Sequence, residues 1–302
     1  MGRRHHAHHG VCGFDEDCPT NYSLVAVNRS AQQWDDDAAI ALRSRHAAAR
    51  AACSVMGHAM PVHGRGAGNH TRTLHSGGWC LSLGQDNLNG DSLSAVLLPG
   101  NHSYFLPPRH LAASSAIVRF LESMLKVCVT DILCQAPMCD NCAEWRFLSV
   151  TDFGAGVGQY GHALQSRDPR YRWIGYDGAG NIEAATNGYV RFCDLSLPLS
   201  LRRTDWVLSL EVGEHVPRAS EEMFVRNIHA HNCRGVVLSW ASLGKSGVGH
   251  TNLHSSEYLI NLFTKLGYRY HNQSTNWLRR EHLSPGNLRH AHALKTRNIS
   301  AP

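Results

Sequence analysis

The stretch Asp152-Phe153-Gly154-Ala155-Gly156-Val157-Gly158-Gln159-Tyr160-Gly161 decides how this chain reads. Ahead of it, Phe147 to Asp152 is a short apolar run of strand character. Behind it, Gln159 to Ser166 suits a helix. Strand, glycine turn and helix in that order open a βαβ unit. Glycine lets the backbone come close to a ligand and frees the first helix N–H groups to meet it. Gly156, Gly158 and Gly161 also fit G-x-G-x-x-G, a pattern that binds dinucleotides but that a tight turn with no ligand satisfies equally.

Further strands follow at regular intervals. Trp173 to Asp177, Tyr189 to Asp194, Asp205 to Leu210 and Gly235 to Ala241 read as strands two to five. Pro217 suits a first helical turn, with the helix running to about His231. Ser255 to Leu266 carries Leu259, Ile260, Phe263 and Leu266 on one face, and Gly267 stands where a helix ends. The expected class is α/β, a Rossmann-like, doubly wound, mostly parallel sheet with an irregular N-terminal extension. The expected divisions are a poorly structured region over 1–76, a helical, cysteine-containing extension over 77–143, the main domain over 144–285 and a tail over 286–302. Within them, Ala38 to Cys53 and Ala112 to about Val129 read as helices.

Composition narrows the class of protein. The chain has 302 residues, 43% hydrophobic and 18% charged, which is too apolar for wholesale disorder. No run reaches the roughly 18 apolar residues of a membrane span. A net charge of +5, with basic residues scattered and no aromatic-interleaved stripe, argues against a nucleic-acid partner. His5, His6, His8 and His9 read as a solvated tail. Cys139 and Cys142 form one C-x-x-C with no second pair, so local disulfides or plain thiols fit better than zinc. Six Asn-x-Ser/Thr sequons, at Asn21, Asn28, Asn69, Asn101, Asn272 and Asn298, and ten cysteines point to a secretory lumen. The start, Met1-Gly-Arg-Arg-His-His, has no apolar signal segment. Either the chain is truncated there or the sequons are idle in the cytoplasm. Nothing in the sequence fixes an oligomeric state.

Three acids turn the glycine loop into a specific expectation. Asp152 lies beside the loop, where its charge would repel a pyrophosphate but suits a ligand with an ammonium group and a sulfonium centre. Asp177, ending the second strand, can accept both hydroxyl protons of a ribose. Asp194, ending the third, sits where an adenine amine would lie. Loop and acids at successive strand ends converge on one crevice.

This pattern resembles the class I S-adenosylmethionine-dependent methyltransferases. Their acid-x-Gly-x-Gly-x-Gly motif matches Asp152, Gly154, Gly156 and Gly158, their second- and third-strand acids match Asp177 and Asp194, and Leu210-Glu211-Val212-Gly213-Glu214-His215-Val216-Pro217 looks like the E-V-x-E-H-V-P signature of small-molecule O-methyltransferases. The resemblance covers about residues 145–270. It implies S-adenosylmethionine (SAM) as cofactor, held by Asp152, Gly154, Gly156, Gly158, Asp177, Asp194 and Glu211. It implies Glu211, Glu214 and His215 as catalytic residues, and transfer to an oxygen of a small-molecule or glycan acceptor. Gly213 departs from the family's bulkier apolar residue, which is expected to loosen the pocket floor.

The Glu-x-x-Glu-His spacing is similar to the metal sites of small-RNA 2′-O-methyltransferases and ubiquinone-pathway O-methyltransferases, with His250 or His254 as a further ligand. Many relatives carry the motif without known metal, and the expectation is no metal. His254, before Ser255, reads as a helix-start residue. Two alternatives are an NAD-type oxidoreductase on the same fold and a catalytically silent methyltransferase-like binding domain. Asp152 and the fourth-strand motif count against the first, and the intact loop and acids against the second.

Overall fold

A computed structural model describes residues 31–56, 74–83, 94–98, 102–106, 112–128, 145–245, 247, 249–281 and 292–296. The first elements are helix α1 (Ala31–Met56) and strands β1 (Ser82–Leu83), β2 (Ser94–Leu98) and β3 (His102–Leu106). Helix α2 (Ser115–Leu125), β4 (Lys126–Cys128), β5 (Trp145–Phe147), β6 (Ser149–Phe153), α3 (Gln159–Gln165), β7 (Arg172–Asp177), α4 (Ile182–Ala185) and β8 (Val190–Phe192) follow. The chain continues through β9 (Thr204–Leu210), α5 (Glu221–Ala230), β10 (Asn232–Ser239), α6 (Ser256–Lys265), β11 (Tyr268–Tyr270), α7 (Asn272–Glu281) and β12 (His292–Thr296).

Among the described residues, seven strands form the main sheet in the order β11-β12-β10-β9-β6-β7-β8. Strands β8, β7, β6, β9 and β10 pair in parallel, and β12 pairs antiparallel with both β10 and β11. From β6 the chain steps outward to β7 and β8, then returns to β9 on the other side. The order therefore reverses between β6 and β9, and a crevice must open at their C-terminal ends. Successive residues alternate between the two faces: Trp206 and Leu208 join a core with α2, α3 and α7, while Val207 joins another with α5 and α6. Burial on both faces is what a parallel sheet requires.

The helix expected from Ala112 to Val129 ends earlier, at Leu125. Lys126 is extended (φ −107°, ψ 108°), and Lys126–Cys128 pairs antiparallel with Trp145–Phe147. Val127 brings β-branching at this turnover, and pairing with a distant strand overrides the local helical pattern. The single strand expected from Phe147 is two, broken at Leu148, whose N–H turns to the carbonyl of Leu125. The expected boundary at 285 is also corrected. Strand β12 lies at 292–296 inside the region read as a tail, and it inserts between β10 and β11. Within 1–76, residues 31–56 form one helix, longer than the expected Ala38–Cys53 at both ends. His5, His6, His8, His9, Cys134, Cys139, Cys142 and five of the sequons lie outside the described residues; Asn272, the sixth, is exposed at the start of α7.

Because Leu294 of β12 is fully buried among Val236, Phe263 and Tyr268 of the α5/α6 core, Leu294→Ala is expected to destabilise the protein by about 2–5 kcal/mol. Urea denaturation followed by tryptophan fluorescence measures this. A loss below about 0.5 kcal/mol would be the behaviour of a surface tail.

Candidate functional site

The glycine turn is built as much by its neighbours as by any ligand. Gly154, Gly156 and Gly158 all have positive φ (81°, 55° and 85°), a region costly for residues with a Cβ. A Cβ at Gly154 would overlap Val212, and one at Gly158 would come within 2.7 Å of the Tyr189 ring. Gly161 packs directly on the Trp173 ring, the close helix–strand contact expected of the third glycine. Gly156 differs: the nearest atom a Cβ would meet is the end of the flexible Gln159 side chain, at 3.2 Å. That side chain can swing aside, whereas Val212, Tyr189 and Trp173 are fixed by packing.

Asp177 holds that turn in place. Its Oδ2 accepts from the Gly156 amide and its Oδ1 from the Ala179 amide, each at 2.9 Å. Burial raises its pKa, and these amides act against the rise. With about four acceptor positions on its two oxygens and three backbone amides facing it, the carboxylate retains capacity for a further hydroxyl.

Asp152 is 2% exposed and accepts from the Trp173 indole at 3.2 Å. Burial first, with the Asp177 charge adding to it and the indole opposing it, pushes its pKa up to about 7. Such a carboxyl gains from a cation placed beside it. Asp194 is buried and already engaged: Oδ1 accepts from the Ser196 amide (2.9 Å) and hydroxyl (2.5 Å), and Arg45 of α1 lies 3.3 Å from Oδ2.

The fourth strand delivers the remaining acids. Glu211 holds a positive φ of 57° without being glycine, with its amide donating to the Ser239 hydroxyl at 2.9 Å. Strain of this kind costs about 1–3 kcal/mol and gathers at functional sites. Glu214 is fully buried, and neither carboxyl oxygen has a hydrogen-bond donor among the described residues. Burial, reinforced by the Glu211 charge, pushes its pKa up to about 8. His215 lies edge-on to Trp79 (5.3 Å between centroids) and to His250 (5.0 Å). Ligand atoms of Glu214, His215 and His250 lie within 4.8 Å of one another. The Glu214 carbonyl accepts from the Thr251 and Asn252 amides, which brings the His250 loop to this point. His254 turns away, bonding Glu221 at 2.6 Å and stacking on Tyr258 at 3.9 Å.

Asp205, at the opposite sheet edge, behaves differently. Burial pushes the Asp205 carboxyl up, but the Ser149 amide and hydroxyl and the Arg234 guanidinium more than offset it, so its pKa falls. Under-satisfied acids thus lie at the C-terminal ends of β6 and β9, where the topology opens the crevice.

One expectation fails here. Gly213 does not loosen the floor, because the Trp240 ring occupies the space a side chain would need. Trp240 is 1% exposed and donates to the Asn252 carbonyl at 2.5 Å, so the bulk missing from residue 213 comes from β10's end instead. Trp79, Arg45 and His46 also border the site. Nothing local in the sequence marks them; only Gly77-Gly78 before Trp79 hints at a close backbone approach.

No family model matches this chain, and no curated protein does. Solved structures similar to it include magnesium protoporphyrin IX methyltransferase from Synechocystis PCC 6803 with bound SAM, at 16% identity over 49% of this chain and 68% of that one, TM-score 0.36. The plantazolicin methyltransferase BpumL matches at 16% identity over 50% and 77%, TM-score 0.37. The DhpI–SAH complex matches at 18% identity over 49% and 75%, TM-score 0.36. At these scores the likenesses carry no argument about activity, which rests on the residues above.

Two predictions follow from packing and charge. Gly213→Leu should cost about 1–3 kcal/mol through clash with Trp240, and Trp240→Ala in the same chain should recover part of it. A double-mutant cycle by chemical denaturation measures the coupling; strict additivity would mean the two do not share that space. Asp152→Asn should stabilise the ligand-free protein at pH 8 more than at pH 4. The wild-type penalty is absent below the unfolded value near 4, grows as the pH rises, and is complete above about 7. Thermal melts at both pH values test this, and an equal gain at both would contradict it.

Proposed function

We propose that the protein is a SAM-dependent methyltransferase that acts on an oxygen of a small-molecule or glycan acceptor. The observation that carries this reading is the meeting of Asp152, the Gly154–Gly158 turn and Asp177 at the β6/β9 switch point, where the atoms nearest a Cβ on Gly156 belong to the movable Gln159 side chain. A desolvated acid with a pKa near 7 fits an amino group and a sulfonium better than a pyrophosphate, which separates SAM from NAD. When bound, SAM supplies an electrophilic methyl group. Asp152 would receive its amino end and Asp177 its ribose diol, Glu211 would line the sulfonium side, and Asp194, expected to take the adenine amine but already bonded to Ser196 and faced by Arg45, would fix the wall at the adenine end instead. Burial raises the pKa of both Glu211 and Glu214, and the Glu211 charge adds to the rise at Glu214, so neither acid readily carries a full charge beside the other. His215, half-buried between Trp79 and His250, takes the proton that an acceptor hydroxyl gives up. The remaining work is alignment and exclusion of water. The disulfides at Cys53–Cys80 and Cys233 and the exposed Asn272 sequon support an oxidising, lumenal compartment.

The proximity of Glu214, His215 and His250 favours a second reading, in which a divalent ion assists the same transfer. One assay separates the two. Methyl-labelled SAM is incubated with phenols, diols, carboxylic acids and oligosaccharides, and products are read by mass spectrometry before and after exhaustive EDTA. The expected result is label on oxygen that survives chelation. Activity lost with EDTA and restored by Mg²⁺ or Mn²⁺ selects the metal reading. Absence of transfer to any acceptor, with no SAM binding, overturns both.

A further inference from the structure

The described part of the N-terminal region is not an appendage. Residues 77–79 cross the crevice from one side of the glycine turn to the other. At one end, Gly78 lies so close to Gly178, next to Asp177, that a Cβ would overlap the Gly178 carbonyl. At the other, a Cβ at Gly77 would overlap the His215 carbonyl. Gly178 follows β7 and His215 follows β9, and β6 lies between those strands. A segment touching both must pass over the end of β6 and its glycine turn.

Helix α1 continues the cover over β8. Arg45 lies 3.3 Å from buried Asp194, and His46 stacks on Phe192 at 4.5 Å with the rings 5° from parallel. Ala49 packs so tightly on Gly180 that a side chain there would collide with its carbonyl. Leu81 exchanges two hydrogen bonds with the Asn181 side chain, at 2.9 and 2.8 Å. The Cys53–Cys80 disulfide joins the two parts; both cysteines are buried, and the bond links residues 27 apart. Trp79 completes the roof at the His215 end. Its indole nitrogen is buried with no acceptor among the described residues, and a Cβ on Gly249 would lie 3.3 Å from it.

We propose that α1 and residues 77–81, locked together by Cys53–Cys80, form the roof of the cofactor crevice, and that this disulfide sets how tightly the cofactor is held. Helix α1 covers the adenosine end over Asp177 and Asp194. Trp79 covers the end where the acceptor meets His215, with its N–H directed to an acceptor oxygen. With the bond broken, the roof must be ordered at each binding event, which weakens affinity and speeds release. A dithiol would break it by exchange: the disulfide takes up two electrons and two protons to give two thiols, and the dithiol becomes a cyclic disulfide. Burial of both sulfurs makes substitution the cleaner way to open it.

This inference rests on the SAM reading, and the test separates the two. The full chain and its Cys53→Ser/Cys80→Ser variant are compared by calorimetry with SAM and by hydrogen exchange without it. The expected result is a Kd about tenfold weaker or more in the variant, with faster exchange at 177–181 and 211–216 and unchanged protection in β6, β9 and β10. A Kd within about twofold of wild type, with unchanged exchange at both segments, overturns the proposal. Should the variant fail to fold, Arg45→Ala and Trp79→Ala probe the two ends of the roof with the disulfide intact. Weaker SAM binding by either supports the roof, and wild-type affinity in both overturns it. If the wild-type chain binds no SAM, the cofactor reading fails, and the exchange comparison alone decides whether the roof covers the crevice.

Discussion

Two hydrogen bonds to one carboxylate set the geometry of the site. Asp177 accepts from Gly156 and from Ala179, tying the turn after β6 to the end of β7. The Gly154 and Ala155 amides reinforce the tie by donating to the Tyr176 carbonyl at 2.8 and 2.9 Å. A turn held in this way needs three positive φ angles in five residues, which L side chains resist. Val212, Tyr189 and Trp173 then close in on Gly154, Gly158 and Gly161. Most of the motif's glycines are therefore required by packing, and at Gly156 the nearest neighbour is the movable end of Gln159.

Charge is distributed unevenly along the sheet. Asp205, near the N-terminal edge, has partners for its charge and titrates low. Asp152, Glu211 and Glu214, at the C-terminal edge, are desolvated without full compensation and titrate high. The fold carries this cost where the crevice opens, as expected of a site that awaits a cationic ligand. The left-handed Glu211 lies in the same place, so backbone strain and electrostatic strain coincide.

The parallel core was legible because its signals are local. Strand periodicity, the Gly154–Gly158 turn and acids at strand ends each occupy a few consecutive residues, and α6 starts within one residue of the expected Ser255, which caps it by accepting from the Tyr258 amide. What sequence reading missed depends on long-range contacts. Strand β12 lies in a polar stretch and becomes core only by inserting between β10 and β11. Gly213 looks like a defect until Trp240, far along the chain, fills its place. Arg45, His46 and Trp79 have no motif around them, and they reach the crevice through a disulfide whose partners cannot be assigned from spacing.

The central claim is that the crevice over Gly156 and Asp177 holds SAM. Titration calorimetry of the full chain with SAM, and separately with NAD, tests it most directly. The account predicts saturable binding of one SAM per chain, weakened by roughly 1.5–3 kcal/mol in Asp177→Ala, and no binding of NAD. Saturable NAD binding with none of SAM, or SAM binding indifferent to Asp177, would contradict it.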